Sequence, residues 1–155
     1  MWLIRQMRNG DIHKVQDIWL TVSIREYAFV AEHLRQDPAE YWRSRLERMT
    51  DDTRLADGYV YESDGRVVGF MTLNPAKQYI LELFVDSASQ GKGAGTALIK
   101  VAKSLHPYLY THVYREKVPA LRFYERQGFL CYGTHPEEST DQIKLVMKWK
   151  ADFTV

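Results

Sequence analysis

Three glycines fall within five residues at Gly91–Gly95, in the stretch Gln-Gly-Lys-Gly-Ala-Gly that begins at Gln90. The stretch follows the apolar, strand-like run Tyr79–Val85 and precedes the helix-like run Thr96–Ser104. Glycine tolerates positive φ and lets a ligand approach the backbone closely. Backbone N–H groups that converge between a strand and a helix N-terminus form a binding site for anions. The sequence therefore predicts a site for a phosphate or pyrophosphate group.

Two widespread phosphate-binding motifs do not fit this stretch. A P-loop requires Gly-x-x-x-x-Gly-Lys-[Ser/Thr], a spacing that does not occur in the chain. The dinucleotide fingerprint requires Gly-x-Gly-x-x-Gly; Gly91 and Gly93 match it, but its third glycine position holds Thr96. That fingerprint also belongs in the first βα unit of a fold, whereas this stretch lies past the middle of the chain. A different phosphate-containing ligand is expected.

A third pattern does fit. The stretch resembles the acetyl-CoA loop of the GCN5-related N-acetyltransferases (the GNAT family), Gln/Arg-x-x-Gly-x-Gly/Ala, with Gln90, Gly93 and Gly95 at the fixed positions. The family also has the motif Ala-x-x-Phe-Tyr-x-x-x-Gly-Phe on the helix and strand after the loop. Five residues match that second motif in order: Ala120, Phe123, Tyr124, Gly128 and Phe129. The resemblance extends over nearly the whole chain.

The resemblance implies an acyltransferase that moves an acetyl group from acetyl-CoA to a primary amine by direct attack in a ternary complex. It implies that the pyrophosphate is held by the backbone N–H groups of the loop, with a lysine adding positive charge. The loop residues are Gly91, Lys92, Gly93, Ala94, Gly95 and Thr96. In the family the preceding strand splays from the next one, and the pantetheine arm lies in the gap. Backbone N–H groups of Leu83, Phe84 and Val85 would polarise the thioester carbonyl there, while the side chains of Leu83 and Val85 pack in the core.

Tyr124 is the candidate general acid, because by resemblance this tyrosine lies near the CoA sulfur. A phenol has a pKa of about 10 and a thiol a pKa of about 8.5, so the phenol is protonated at neutral pH and can donate a proton to the leaving thiolate. The alternative is a tyrosine of an amphipathic helix that only packs against the sheet. Its neighbour Phe123 is expected in the core.

The sequence leaves three candidates for the base that deprotonates the amine: two residues and a water molecule. His112 lies on the strand before the Tyr124 helix, where some relatives carry a glutamate, and an imidazole has a suitable pKa near 6.5. Glu82 lies on the cofactor strand, and we expect burial to raise its pKa toward neutrality. Each residue also has an interpretation without a catalytic role. His112 would then be a half-exposed histidine of a strand, and Glu82 a carboxylate that points outward or forms an ion pair.

Lys117 marks a departure from the family. Many relatives have an asparagine at this position, where it contacts the pantetheine arm. A lysine contact to a phosphate or a carbonyl replaces it, or the contact is lost. The second outcome keeps another hypothesis open, that of a catalytically inactive CoA-binding sensor or interaction module.

The acceptor is expected beside the segment between the first two helices. Aromatic residues there would line a pocket, namely Tyr27, Phe29 and His33. Nearby carboxylates would attract an ammonium group, namely Glu26, Glu32 and Asp37. The resemblance allows a protein lysine, an N-terminal amine or a small-molecule amine. An ordinary surface connection is the alternative.

The spacing of apolar residues predicts the elements that position these groups, in the order β-α-α-β-β-β-α-β-α-β-β. The predicted strands are Trp2–Met7, Leu55–Glu62, Arg66–Leu73, Tyr79–Val85, Tyr108–Val113, Phe129–Gly133 and Gln142–Trp149. The predicted helices are 11–26, 38–49, Thr96–Ser104 and Pro119–Gln127. By resemblance this is the GNAT fold: one α+β domain over residues 1–155, with a twisted mixed sheet of about six to seven strands and helices on both faces.

Composition narrows the partners. Contacts to nucleic-acid phosphates need clustered lysine and arginine, so the near-neutral net charge of +1 argues against an enzyme that acetylates charged tRNA. No apolar run approaches the roughly 18 residues of a membrane span, and the N-terminus lacks a signal-peptide core, so we expect a cytoplasmic protein. The histidines show no metal-ligand spacing, so no metal is expected. The single cysteine, Cys131, is expected to be buried. A monomer and a homodimer are both compatible with the sequence.

Overall fold

The computed structural model describes residues 1–26, 43–44, 57–74, 76, 78–137 and 142–152. The strands in these ranges are β1 Trp2–Gln6, β2 Asp57–Ser63, β3 Arg66–Asn74, β4 Tyr79–Val85, β5 Tyr108–Tyr114, β6 Leu130–Glu137 and β7 Gln142–Lys150. The longer helices are α1 Ile12–Glu26, α2 Ala94–Leu105 and α3 Val118–Arg126. Short 3-10 turns occur at Asn9–Asp11 and Ser87–Ser89.

The strands form one mixed sheet in the order β1-β2-β3-β4-β5-β7-β6. Neighbouring strands are antiparallel except β4 and β5, which are parallel. Helix α1 packs over β3 and β4 on one side, which we call the α1 face. Helices α2 and α3 pack into a second core on the other side, which we call the α2 face. The prediction of a mixed α+β sheet with helices on both faces is therefore confirmed.

Strand β4 contains a β-bulge that the sequence did not predict. Thr72 pairs with Glu82 while Leu73 pairs with Ile80, so Leu81 is an extra residue on β4. Two-residue alternation resumes beyond it, with Phe84 stacked on Phe70 in the α1-face core. The bulge therefore directs two consecutive side chains, those of Leu81 and Glu82, toward the α1 face.

Strands β4 and β5 separate soon after they meet. Their register consists of one pair, Tyr79 with Tyr110. Two further hydrogen bonds secure this end: Tyr110 N–H donates to the Gln78 carbonyl at 3.1 Å, and the Thr111 hydroxyl donates to the Ile80 carbonyl at 3.0 Å. Beyond these bonds the strands diverge and leave a cleft through the sheet, as the family resemblance implied.

Most predicted boundaries lie within two residues of those observed. Strand β6 is longer than predicted, because a bulge between Cys131 and Gly133 lets it continue its pairing with β7 as far as Glu137. The prediction that Cys131 is buried is wrong: β6 is an edge strand and the thiol is exposed. The predicted second helix lies outside the described residues apart from 43 and 44, which are helical. Among the described helices, none is long and apolar enough to cross a bilayer.

Candidate active site

The glycine loop adopts backbone conformations that require glycine. Gly91 has φ 77° and Gly93 has φ 92°, both in the left-handed region that side chains disfavour. A Cβ atom added at either position would meet nothing within 4 Å. The two glycines are therefore needed for the shape of the turn, and the space beside them is open to a ligand.

Helix α2 begins at this loop with donors that suit an anion. Gly93 is its N-cap and has no side chain that can cap the helix. The first hydrogen bond of the helix runs from Ala97 N–H to the Gly93 carbonyl at 3.0 Å. The N–H groups of Ala94, Gly95 and Thr96 precede that bond, at the positive end of the helix dipole. This donor set fits the phosphates of acetyl-CoA.

The side chains of Gln90 and Lys92 point away from the phosphate-binding N–H groups of the loop or lie at its edge. The Gln90 side chain donates from Nε2 to the Val85 carbonyl at 2.9 Å, so it fastens the turn to the end of β4. Lys92 is exposed and does not line the cleft. Any charge that Lys92 contributes is therefore at the rim of the site.

The cleft between β4 and β5 has a volume of about 710 Å³. Apart from Lys92, all the predicted site residues line it: Glu82, Leu83, Phe84, Val85, Gln90, Gly91, Gly93, Ala94, Gly95, Thr96, His112, Lys117 and Tyr124. It is also lined by residues that sequence reasoning did not single out: Trp19, Ser23, Tyr114, Arg126 and Lys144. Trp19 lies in the predicted helix 11–26, and nothing in the sequence of that helix shows that it borders a cleft.

Tyr124 is held rigidly at the cleft by aromatic packing. It is 7% exposed, and its ring meets Phe123 and Phe129 edge-on, each at a centroid distance of 5.2 Å. Helix α3 is also tied to the loop, because Gln127 Nε2 donates to Thr96 Oγ1 at 3.0 Å. The glycine loop and Tyr124, which belong to the two separate sequence motifs, thus form one packed unit on the α2 face.

Gly95 lies at the contact between α2 and α3, where there is little room for a larger side chain. A Cβ atom on Gly95 would lie 3.2 Å from the Phe123 ring, closer than ordinary contact. Gly95 is therefore explained by packing between the two helices, whereas the glycines before it are explained by backbone shape. Phe123 is partly buried beside the α2-face core, as predicted.

His112 lies on the opposite face. Its neighbours on β5, Leu109 and Val113, point into the α2-face core, so alternation places the imidazole on the α1 face. The ring packs edge-on against Tyr79 at 5.3 Å and stacks on His135 at 4.9 Å with an interplanar angle of 19°. His112 is half-buried and lines the cleft.

Glu82 also faces this side and is buried, with 8% of its surface exposed. The hydroxyl of Thr72, which is fully buried, donates a hydrogen bond to Glu82 Oε2. The two candidate bases therefore approach the cleft from the α1 face, while Tyr124 and the glycine loop approach it from the α2 face. Such an arrangement lets an amine and a thioester enter from opposite sides and meet between the strands.

Lys117 stands at the junction between β5 and α3. Its N–H donates to the Tyr114 carbonyl at 2.9 Å, and its own carbonyl accepts from Leu121 N–H at 3.0 Å. The residue is thus fixed by its backbone at the start of the Tyr124 helix, and it lines the cleft.

The predicted acceptor segment lies almost wholly outside the described residues. Tyr27, Phe29, His33, Glu32 and Asp37 lie outside the described residues, and Glu26 is the last residue of α1. Within the described part of the chain, no three His, Cys, Asp or Glu side chains are grouped so that they could hold a metal ion.

Known proteins resemble this chain in sequence. A family model described as an acetyltransferase (GNAT) domain matches residues 55–130. The peptidyl-lysine N-acetyltransferase YjaB of Escherichia coli is 38% identical over 130 residues, which cover 84% of this chain and 83% of that protein. The peptidyl-lysine N-acetyltransferase YiaC of Escherichia coli is 26% identical over 148 residues, which cover 95% of this chain and 96% of that protein.

Solved structures share the fold. The solution structure of apo YjaB from Escherichia coli matches with a TM-score of 0.77 at 24% identity, covering 98% of this chain and 99% of that one. A ribosomal-protein-alanine N-acetyltransferase from Brucella melitensis matches with a TM-score of 0.75 at 22% identity, covering 96% and 99% of the two chains. Together with the sequence relatives and the glycine-loop cleft, these matches show that this chain belongs to the GNAT family of N-acetyltransferases and is an acyltransferase.

Proposed function

We propose that the protein transfers the acetyl group of acetyl-CoA to the side-chain amine of a lysine in a protein. One observation carries the proposal: the glycine-capped start of α2 and the buried Tyr124 open into the same cleft as two potential bases on the other face of the sheet. The acceptor class is inferred from relatives that are named peptidyl-lysine N-acetyltransferases.

The loop residues act first, by binding. The N–H groups of Ala94, Gly95 and Thr96 hold the pyrophosphate at the N-terminus of α2. The cleft between β4 and β5 takes the pantetheine arm as a strand-like insert, and backbone N–H groups of Leu83–Val85 polarise the carbonyl. One such donor is typically worth about 3–4 kcal/mol in the transition state. When bound, acetyl-CoA supplies an acyl group on a thiol leaving group.

We assign different roles to the two candidate bases. The fixed carboxylate of Glu82 attracts the lysine ammonium into the cleft, because it is buried and oriented by Thr72. His112 takes the proton, because its imidazole lines the cleft and a neutral imidazole nitrogen can accept a proton from an amine. The amine nitrogen then bonds to the carbonyl carbon, the carbon–sulfur bond breaks, and Tyr124 donates its phenolic proton to the sulfur.

Binding and turnover test the proposal separately. Calorimetric titration with acetyl-CoA is compared between the native protein, Gly93→Trp and Gly65→Trp. Gly65 is a matched control, since it also has positive φ, 79°, and a Cβ atom added there would meet nothing within 4 Å, but it lies in the β2–β3 hairpin. We expect binding to be lost only in Gly93→Trp. Thiol release with lysine-containing peptides then measures transfer; binding without thiol release from any amine would refute the enzymatic proposal.

A further inference from the structure

A row of lysines runs along β7 on the α1 face. The residues that alternate with them pack into the α2-face core: Leu145, Met147 and Trp149. Side chains of a strand alternate between its faces, so the lysines on the other face are Lys144, Lys148 and Lys150. The chain as a whole carries a net charge of only +1, so this row is a local concentration of positive charge.

Tyrosines frame the lysines on both sides. Tyr114 pairs with Lys144 and Tyr110 pairs with Lys148 in the β5–β7 register. Lys144 Nζ lies 4.9 Å from the centroid of the Tyr114 ring, and Lys148 Nζ lies 5.3 Å from that of Tyr132, which is 64% exposed on β6. We call this surface the lysine–tyrosine face, formed by Tyr110, Tyr114, Tyr132, Lys144, Lys148 and Lys150.

The lysine–tyrosine face is continuous with the acceptor side of the cleft. Tyr114 and Lys144 line the cleft themselves, as does His112, which lies between Tyr110 and Tyr114 on the same face of β5. Helix α1, on the same side of the sheet, packs over β3 and β4 and borders the cleft from the other direction. The lysine–tyrosine face is therefore within reach of a polypeptide whose lysine enters the cleft from the α1 face.

We propose that the lysine–tyrosine face selects acceptor polypeptides with aspartate or glutamate residues on one side of the lysine that is acetylated. The inference rests on the proposed function. Alternate residues of a strand are about 6.8 Å apart, as are alternate side chains of an extended peptide. Lys148 lies four positions beyond Lys144 on β7. If one carboxylate of the peptide contacts Lys144, a second carboxylate about four residues farther from the acetylated lysine is in position to contact Lys148. The tyrosine rings supply apolar contact area for the side chains between these carboxylates.

The test measures kcat/KM by thiol release with peptides of equal length. Each peptide has a blocked N-terminus and one lysine, and it carries acidic, neutral or basic residues on one side of that lysine. A small alkylamine serves as an acceptor too short to reach the lysine–tyrosine face. We expect the native protein to prefer the acidic over the neutral peptide by about 3- to 10-fold, the range for a pair of solvent-accessible charge contacts. The preference should shrink at high salt.

Charge reversal assigns the preference to this surface. Lys148→Glu and Lys150→Glu lie outside the cleft lining, so we expect them to keep native rates with the small amine. Each should shrink or abolish the preference for the acidic peptide, because a negative charge replaces one of the positive charges on this face. Lys100→Glu, an exposed lysine on α2, is the matched control and should keep the native order.

Each outcome has a distinct meaning. Preference for acidic peptides that shrinks or is lost in Lys148→Glu but not in Lys100→Glu supports the inference, and a preference unchanged in Lys148→Glu overturns it. Equal rates with all peptides overturn it while the proposed function stands. Turnover of the small amine alone also overturns it and makes the acceptor a small molecule. Absence of thiol release with every amine refutes the proposed function and this inference with it.

Discussion

Replacing Thr72 by valine should destabilise the protein more than the loss of one ordinary hydrogen bond. The Thr72 hydroxyl donates to the carboxyl of Glu82, and both residues are buried. A hydrogen bond to a charged group contributes about 1.5–3 kcal/mol, against about 0.5–1.5 kcal/mol for a neutral pair. Valine keeps the shape of threonine but leaves Glu82 without this donor. We therefore expect the free energy of unfolding to fall by about 2–3 kcal/mol.

Thr111→Val is the matched control. Thr111 is also buried, but its hydroxyl donates to a neutral acceptor, the Ile80 carbonyl, at 3.0 Å. Its loss should cost about 1 kcal/mol. For a chain of 155 residues, each kcal/mol corresponds to about 2–4 °C in the melting temperature. The two variants should therefore be separated by several degrees in a thermal melt at neutral pH.

A double-mutant cycle with Glu82→Gln identifies the source of the difference. With a neutral amide at position 82, the cost of Thr72→Val should fall to that of Thr111→Val, because the buried charge is gone. The reasoning is refuted if Thr72→Val and Thr111→Val cost the same in the native background. That result would mean that Glu82 is not an ionised carboxylate held by Thr72, and its role in attracting an ammonium would be withdrawn.

Three further predictions concern the site and the stability of the fold. Tyr124→Phe should lower kcat by about 10- to 100-fold with little change in acetyl-CoA affinity by calorimetry, because only the proton donor is removed; an unchanged kcat would exclude Tyr124 as the acid. Gln127→Leu should lower kcat without unfolding the protein, because the bond that ties Gln127 to Thr96 at 3.0 Å is lost, and a native kcat in this variant would contradict the link. Burial raises the pKa of the Asp11 carboxyl, but the hydrogen bonds from Arg5 and from a backbone N–H together lower the pKa by more than burial raises it. The pKa of Asp11 therefore lies below its ordinary value. The ion pair stabilises the fold at pH values above the ordinary pKa of aspartate, and this stabilisation is lost as the pH falls through the pKa of Asp11 in the folded protein. Asp11→Asn should therefore make the free energy of unfolding depend less on pH on the acid side. An unchanged pH dependence there would count against the ion pair.

The parts of the site that depend on local backbone shape could be predicted from the sequence. Gly91 and Gly93 adopt the positive φ values that their spacing suggested, and Tyr124 lies on a helix that begins and ends near its predicted bounds. These features follow from short stretches of chain, in which glycine conformation and helix signals act over a few residues. The order of the strands along the chain could be predicted for the same reason, because each strand has an apolar pattern within its own short stretch of sequence.

The parts that depend on pairing between strands could not be predicted. The run Tyr79–Val85 gives no sign that Leu81 is an extra residue, because the bulge exists only relative to β3. The direction of Glu82 depends on that bulge, so the sequence could not state which face the carboxyl meets. Similarly, Cys131 was expected to be buried because the sequence does not reveal that its strand lies at the edge of the sheet.

The single register pair between β4 and β5 has a consequence for how the protein unfolds. It divides the sheet into two antiparallel halves, β1–β4 and β5-β7-β6, each with a continuous ladder of its own. Backbone amides at the junction should exchange with solvent earlier than those inside either half, since fewer hydrogen bonds must open there. A ligand that fills the cleft bridges the two halves and binds only when both are in place. Substrate binding should therefore couple the halves into one cooperative unit, and amide exchange would slow on both sides of the junction together.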